Sequence, residues 1–339
     1  MQKFLVIQTA FIGDVVLATA LAEKLHQQYP QAQIDFLLRK GNEGLLAGHP
    51  FIHEVLIWDK KKNKQKNLLK VLAEIRKRRY DKVINVQRFA ATGLLTAFSK
   101  ARESIGFDKN PFSFLFSKKI KHLVNTGSEP KHEIDRNQDL IRSLTDEVPA
   151  RPVLYPSTAD FDKVKEFKQK KYVTISPASV WFTKQYPADK WISFIDKLPG
   201  PLEIYLLGAS SDIALCESIR RASTNPNITL LCGKLSFLES AALMKDAVMN
   251  FVNDSAPLHF ASAVNAPVTA VYCSTIPAFG FGPLSDQRFI VQIKEDLYCR
   301  PCGLHGYRAC PEKHFRCAYQ IQDDQLLLPL KVNEHELSR

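Results

Sequence analysis

The sequence predicts an α/β chain made of two doubly wound halves with a ligand crevice between them. Short apolar strands alternate with helical patterns through residues 4–106, and the alternation resumes at 172 and runs to 272. Between the two sets lies a mixed stretch, 125–156, whose end carries Pro149, Pro152 and Pro156. Strands alternating with helices argue for parallel βαβ units, and 339 residues suffice for two such domains. The expected division is 1–160 and 161–322, with a last segment, 323–339, packing back on the first domain.

In the first half, strands are expected at 4–7, 33–38, 55–58, 82–86 and 103–106. Helices are expected over 15–28, 68–79 and 91–98, the second of them strongly basic, and a further helix over 132–144. In the second half the strands fall at 172–176, 202–207, 228–231, 247–252 and 268–272. The helices between them are expected over 188–197, 213–223 and 237–245, with Pro187 and Asp189 marking the start of the first. The opening residues are read as strand, loop and helix of a mature protein. Lys3 and the Ala20-Leu21-Ala22 triplet imitate a signal peptide, but Gln8, Thr9, Gly13 and Asp14 interrupt the apolar stretch one needs.

Hydrophobic residues make up 45% of the chain and charged residues 24%, as in an ordinary soluble protein. No run reaches the roughly 20 apolar residues of a membrane span, so a cytoplasmic protein is expected, with contact at the inner face of the inner membrane left open. The net charge of +11 points to acidic partners. The excess gathers in Lys60-Lys61-Lys62-Asn63-Lys64-Gln65-Lys66 and Arg76-Lys77-Arg78-Arg79. A solvated helix face explains such runs more often than a binding site does. No basic patch interleaved with aromatics occurs, and nucleic acid is not an expected partner.

The most telling stretch is the end of the strand at 247–252. It stops at Asn253-Asp254-Ser255, and a helix starts at once with Pro257 in its first turn. A helix start offers unpaired N–H groups at the positive end of the helix dipole, and in open parallel sheets ligands bind beyond the carboxyl ends of the strands. Asp254 or Ser255 can equally be a plain capping residue. The first strand ends in a comparable way, at Gly13 and Asp14. A carboxylate there can take a proton from a hydroxyl, or simply cap the helix. Neither a GxGxxG spacing nor a GxxxxGK[ST] loop is present. Lys184 lies in the loop after the strand at 172–176, where a point cation suits a diphosphate, and Gly208 makes a turn after the strand at 202–207.

Four cysteines, Cys299, Cys302, Cys310 and Cys317, cluster with spacing C-x2-C-x7-C-x6-C. Four thiolates so spaced fit a structural zinc; reduced thiols are the alternative, and a disulfide is disfavoured in a cytosolic protein. Asp160-Phe161-Asp162 has the Asp-x-Asp form of metal-using transferases but precedes a charged helix and is read as capping.

Taken together, Ile12-Gly13-Asp14-Val15, Lys184 with Pro187 and Trp191, Ser236-Phe237-Leu238-Glu239 and Asn253-Asp254-Ser255-Ala256-Pro257-Leu258-His259 resemble the lipopolysaccharide heptosyltransferases, the ADP-heptose-using family 9 of glycosyltransferases. The likeness spans nearly the whole chain. It implies the GT-B fold, with the acceptor on the N-terminal domain and a nucleotide-sugar donor on the C-terminal one. It further implies Asp14 as general base, Lys184 on the donor phosphates and Glu239 on the ribose. Ser179, in the Lys184 loop, would approach the nucleotide, and Asp254, Ser255, Ala256 and His259 would cradle diphosphate and sugar. The reaction implied is inverting heptosyl transfer to a Kdo or heptose acceptor, with no cofactor required. Arg88 and the lysines of 60–66 would suit a lipid-linked acidic sugar at the membrane surface. The chain departs from the family pattern at Ala256, where glycine is usual, and at Cys273-Ser274-Thr275, where Gly-Pro-Thr is more usual. Two other readings stay open: a transferase using a UDP- or GDP-linked sugar, and a noncatalytic nucleotide-sugar binder.

Overall fold

The computed structural model describes the backbone of residues 1–124 and 130–337 and the side chains of 1–124 and 130–331. It divides into two compact units, Met1–Tyr155 and Pro156–Arg339. The division falls five residues before the expected one, ahead of a short helix whose Asp160 closes a capping box by accepting from the Ser157 amide at 2.7 Å. That capping role for Asp160 matches the reading of Asp160-Phe161-Asp162.

The first unit is built on β1 (Lys3–Ile7), β2 (Gln33–Arg39), β3 (Glu54–Trp58), β4 (Lys82–Asn85), β5 (Glu103–Phe107) and β6 (Lys118–Ile120). These form one parallel sheet in the order β3-β2-β1-β4-β5-β6. Its helices are α1 (Ile12–Gln28), α2 (Lys64–Arg78), α3 (Ala90–Ala97) and α4 (Glu133–Ile141). Every side chain of β1 from Phe4 to Ile7 is fully buried, as a central strand covered on both faces requires. Helix α1 packs against α4 and β2 and is buried almost throughout from Gly13 to Leu25, so it shows no polar stripe. Helix α2 is the opposite case: Val71, Leu72 and Ile75 face inward and the remaining positions are mostly charged.

The second unit repeats the plan with β7 (Tyr172–Ser176), β8 (Glu203–Leu206), β9 (Ile228–Leu230), β10 (Met249–Asn253), β11 (Val268–Tyr272) and β12 (Arg288–Gln292). All neighbours are parallel, in the order β12-β11-β10-β7-β8-β9. Its helices are α5 (Thr158–Lys163), α6 (Ala188–Asp196), α7 (Ile213–Ala222), α8 (Phe237–Lys245), α9 (Ala256–Ala263), α10 (Arg316–Tyr319) and α11 (Asp323–Leu337). The core joins Trp191, Phe194 and Phe251 to Ile175, Leu206 and Val271. Leu326 and Leu330 of α11 belong to this same core, and the helix packs on α6 and β12.

Two strands escape the sequence reading, and both are sheet edges. β6 is a lysine pair followed by Ile120, too short and too polar for a strand pattern, while lysines of this kind blunt an exposed edge. β12 has an apolar centre, Phe289-Ile290-Val291, but follows a loop without helical period. Among the described residues, no helix is long and apolar enough to cross a membrane.

Candidate functional site

In each sheet the strand order reverses once, between β1 and β4 in the first unit and between β10 and β7 in the second. A reversal sends the two flanking helices to opposite faces and leaves a gap at the carboxyl edge, where open α/β sheets hold ligands. Asp14 and Arg88 follow β1 and β4 at the first reversal, and Lys184, Asp254 and Ser255 follow β7 and β10 at the second, while Gly208, Glu239 and the four cysteines lie elsewhere in the second unit.

In the second unit, the loop leaving β7 carries Lys184 and the end of β10 carries Asp254. Their side chains meet, Nζ to Oδ2, at 2.7 Å, with exposures of 15% and 7%. Asn253 sets this meeting up by spanning the two strand exits: its Oδ1 accepts from the Tyr186 amide at 2.9 Å and its Nδ2 donates to Pro177 O at 2.8 Å. Thr275, just beyond β11, donates its hydroxyl to the same Asp254 Oδ2 at 2.6 Å. One carboxylate oxygen thus takes a cation and a hydroxyl in a nearly buried place. Such a pair is stable only when each partner stays satisfied.

Helix α9 starts at the next residues. Ser255 is its N-cap by backbone angles, but its hydroxyl points back to Asn253 O at 3.4 Å rather than capping the helix. Ala256 and Pro257 open the first turn, and His259 is buried with its ring edge toward Phe281. The capping reading of Ser255 is thereby not realised. Pro257 brings no N–H to the first turn and the Leu258 amide donates to Ser255 O at 3.1 Å, so what this start offers an anion is chiefly the positive end of the helix dipole with the Ala256 amide.

The other expected donor residues are more committed to local structure. Ser179 donates its amide to Gln185 Oε1 at 3.2 Å, which shapes the Lys184 loop. Gly208 leaves room for Asp212, whose side chain a Cβ at that position would approach to 3.0 Å. Asp212 in turn accepts from the Ala209 amide at 2.8 Å. Glu239 sits at the third position of α8 and accepts from the Ser236 amide at 2.6 Å, while Ser236 Oγ accepts from the Glu239 amide at 3.1 Å. This is a capping box, so the carboxylate expected on a ribose serves its own helix in the structure.

In the first unit, α1 begins at Ile12, three residues earlier than expected, with Gly13 buried in its first turn. Asp14 is half-exposed, and its Oδ2 accepts from the Phe11 amide at 3.2 Å. The loop before it is pinned from three sides. Gln87 Oε1 accepts from Thr9 N at 3.2 Å and Thr9 Oγ1 at 2.5 Å, Asn42 donates to Ala10 O at 3.1 Å, and Lys60 donates to Thr9 O at 2.6 Å. Lys60 also lies over the Trp58 ring, 4.7 Å from its centroid. Burial, with the charges of Arg39 and Lys64 nearby, lowers its ammonium to about 8.

Behind Asp14, Glu133 and Arg136 form an ion pair at 2.6 Å. Burial raises the Glu133 carboxyl and the charge of Asp14 adds to it, while Arg136 and Arg88 oppose. His122 is lowered to about 4, chiefly by burial and then by Arg88 and Arg136. Asp14, Arg88, His122, Glu133 and Arg136 thus share one electrostatic neighbourhood. Lys60, His122, Glu133 and Arg136 are not individually legible in the sequence, because charged residues scattered from 60 to 136 carry no local motif. The basic run 76–79 has a structural role: Arg78 pairs with Glu54 at 2.7 Å and Glu74 at 2.9 Å, and Arg76 caps Phe98 O at 2.7 Å.

The cysteines do not form the expected zinc site. Cys299, Cys302, Cys310 and Cys317 line one cavity of about 260 Å³ together with Tyr307 and His314, and Cys299 Sγ lies 3.9 Å from His314 Nε2. All seven cysteines are free. Among the described residues, the ligand atoms of three or more such side chains come within 4.8 Å of one another only at Asp35, His53 and Glu54. There Arg78 reaches both Asp35 and Glu54, making an ion network rather than a vacancy for a metal.

The sequence pattern of glycosyltransferase family 9 (heptosyltransferase) matches residues 68–309. Lipopolysaccharide heptosyltransferase 3 of Escherichia coli strain K12 is 30% identical over 281 residues, covering 79% of this chain and 81% of that one. Among solved structures, the family 9 glycosyl transferase of Veillonella parvula superposes with a TM-score of 0.84 at 20% identity, covering 99% and 98% of the two chains. The ADP-heptose lps heptosyltransferase II of Escherichia coli gives 0.81 at 19%, covering both chains fully. The shared fold is GT-B, with two Rossmann-like units.

Proposed function

The chain belongs to glycosyltransferase family 9, the heptosyltransferases, and from that premise we propose that it moves a heptosyl residue from ADP-heptose to an inner-core lipopolysaccharide sugar, Kdo or heptose, with inversion. It is a glycosyltransferase; donor, acceptor and residue roles are the proposal. The observation that carries it is the nearly buried Lys184–Asp254 pair beside the start of α9, a cation and the positive end of a helix dipole suited to one diphosphate.

In this reaction Asp14 takes the proton of the acceptor hydroxyl. The hydroxyl oxygen forms its bond to the anomeric carbon from the face opposite the diphosphate, and the bond to the diphosphate oxygen breaks with its electron pair. Lys184 and the positive end of α9 meet the charge that develops on the leaving ADP, a contribution that only grows toward the transition state. Asp254 repels phosphate and acts through Lys184, which it holds ready. Gly208, Ser179 and His259 shape the donor side. Glu239 reaches the ribose with its second oxygen while the first stays in the capping box. On the acceptor side, Arg88 and Lys60 attract an acidic, lipid-linked sugar. The enzyme is then a cytoplasmic protein that touches the inner membrane surface peripherally.

A donor panel tests the proposal. ADP-, GDP- and UDP-linked sugars are offered with a Kdo- or heptose-terminated lipid, and product is read by mass spectrometry. Turnover with ADP-heptose is expected; turnover with a UDP- or GDP-sugar alone defeats the donor assignment, and donor binding without any turnover defeats the enzymatic one.

A further inference from the structure

We infer that Thr275, Arg300 and Gly306 are positioning residues that fix where Lys184 presents its charge to the donor diphosphate, an inference that rests on the phosphate role of Lys184 proposed above. Arg300 and Gly306 lie outside the motifs that carry the family likeness, and Thr275 is the residue that matches in the segment where Cys273-Ser274 departs from the family's Gly-Pro-Thr. Each reaches the Lys184–Asp254 pair through a contact made only in the folded chain.

Thr275 and Lys184 share one acceptor. Asp254 Oδ2 lies 2.6 Å from Thr275 Oγ1 and 2.7 Å from Lys184 Nζ. A diphosphate that draws Lys184 toward itself removes the cation from a buried carboxylate, which is costly when nothing else satisfies that oxygen. The Thr275 hydroxyl remains in place. It lets Asp254 hold the ammonium when the site is free and release it when phosphate arrives, without leaving a bare charge.

Arg300 fixes Thr275. Its guanidinium donates to the carbonyls of Thr275 at 2.7 Å and Cys273 at 2.8 Å, and to Gln292 Oε1 at 2.8 Å. A planar fork can close the turn leaving β11 at several points at once, which a lysine cannot do. The chain beyond Arg300 then approaches the Lys184 loop from its other side. Tyr307 donates its amide to Thr183 Oγ1 at 2.7 Å and accepts from the Thr183 amide at 3.1 Å. Gly306 makes that approach possible. Its φ is +74°, and a Cβ there would stand 2.8 Å from Thr183 Oγ1 and 3.0 Å from Lys184 Cγ. Glycine is therefore required twice over, by the backbone angle and by the space. The stem of Lys184 is confined by the close approach at Gly306, and its tip is held by Asp254 Oδ2, the oxygen that Thr275 shares.

The test compares binding of ADP and of adenosine to the full-length protein by calorimetric competition, with the thermal midpoint of each variant recorded. Wild type is expected to prefer ADP over adenosine by more than about tenfold. Thr275→Val should weaken ADP about tenfold while adenosine affinity and thermal midpoint hold, and Thr275→Ser should restore ADP binding. Gly306→Ala should shift the ADP-to-adenosine ratio in the same direction. Unchanged ADP affinity in Thr275→Val, or a parallel fall in adenosine affinity, overturns the positioning role. A wild type that does not distinguish ADP from adenosine overturns the donor reading itself, which separates the two failures.

Discussion

Lys184 and Asp254, carried by the exits of two neighbouring strands, meet at 2.7 Å with almost no access to water. That single contact has two separable consequences. Removing the cation leaves a buried carboxylate with the Thr275 hydroxyl as its remaining side-chain donor. Lys184→Met should therefore lower unfolding free energy by about 3 kcal/mol, read from urea midpoints. It should also lower kcat/KM by about 100-fold or more, the usual cost of one donor aimed at developing charge. A loss of stability with unchanged turnover would show that the pair is only structural.

Glu239 offers a sharper separation of helix capping from ligand binding. Its carboxylate accepts from the Ser236 amide, a task that glutamine performs nearly as well. Glu239→Gln should keep the thermal midpoint while weakening donor binding several-fold through the altered ribose contact. Glu239→Ala should lose about 1 kcal/mol of stability as well. Full donor affinity in both variants would remove Glu239 from the donor site.

Lys60 carries a pH signature. Its folded-state value, about 8, lies below that of an unfolded lysine. Between the two the unfolded chain binds more protons, so this residue makes stability rise as pH climbs above about 8 and contributes a constant penalty below it. Lys60→Gln should flatten that rise in urea midpoints measured at neutral and alkaline pH. Attraction of an acidic acceptor runs the other way, so the acceptor KM should increase above pH about 8 in wild type and stay level in Lys60→Gln.

The fold was legible wherever strands are central. β1, β4, β7, β10 and β11 are short apolar runs buried on both faces, and that burial writes itself into the sequence. The edge strands β3 and β9 were still readable as apolar runs, whereas β6 is three residues with two exposed lysines and β12 is mostly solvent-facing, so these two left no such mark. The helix start after Asn253 was readable from Pro257, and so was the loop position of Lys184. Their ion pair was not, because it depends on β7 and β10 being neighbours, a fact of sheet order rather than of spacing. The contact of Thr275 with that pair, and the places of Arg300 and Gly306, were out of reach for the same reason. The cysteine spacing suggested zinc, yet spacing constrains only the chain, and the sulfurs line their cavity without converging. Glu239 shows a further limit: its motif position was readable, but the capping box it closes with Ser236 is a matter of local geometry.

Asp14 is where the chemistry is proposed to happen, and Asp14→Asn addresses it most directly. The amide keeps the size of the side chain and its acceptor for the Phe11 amide, but cannot take a proton. With ADP-heptose and a Kdo- or heptose-terminated lipid, rapid-quench measurement of a single turnover should show the transfer step slowed by about 100-fold or more, with ADP-heptose affinity unchanged. Transfer at the wild-type rate with the donor bound as tightly as before would contradict the mechanism at its centre.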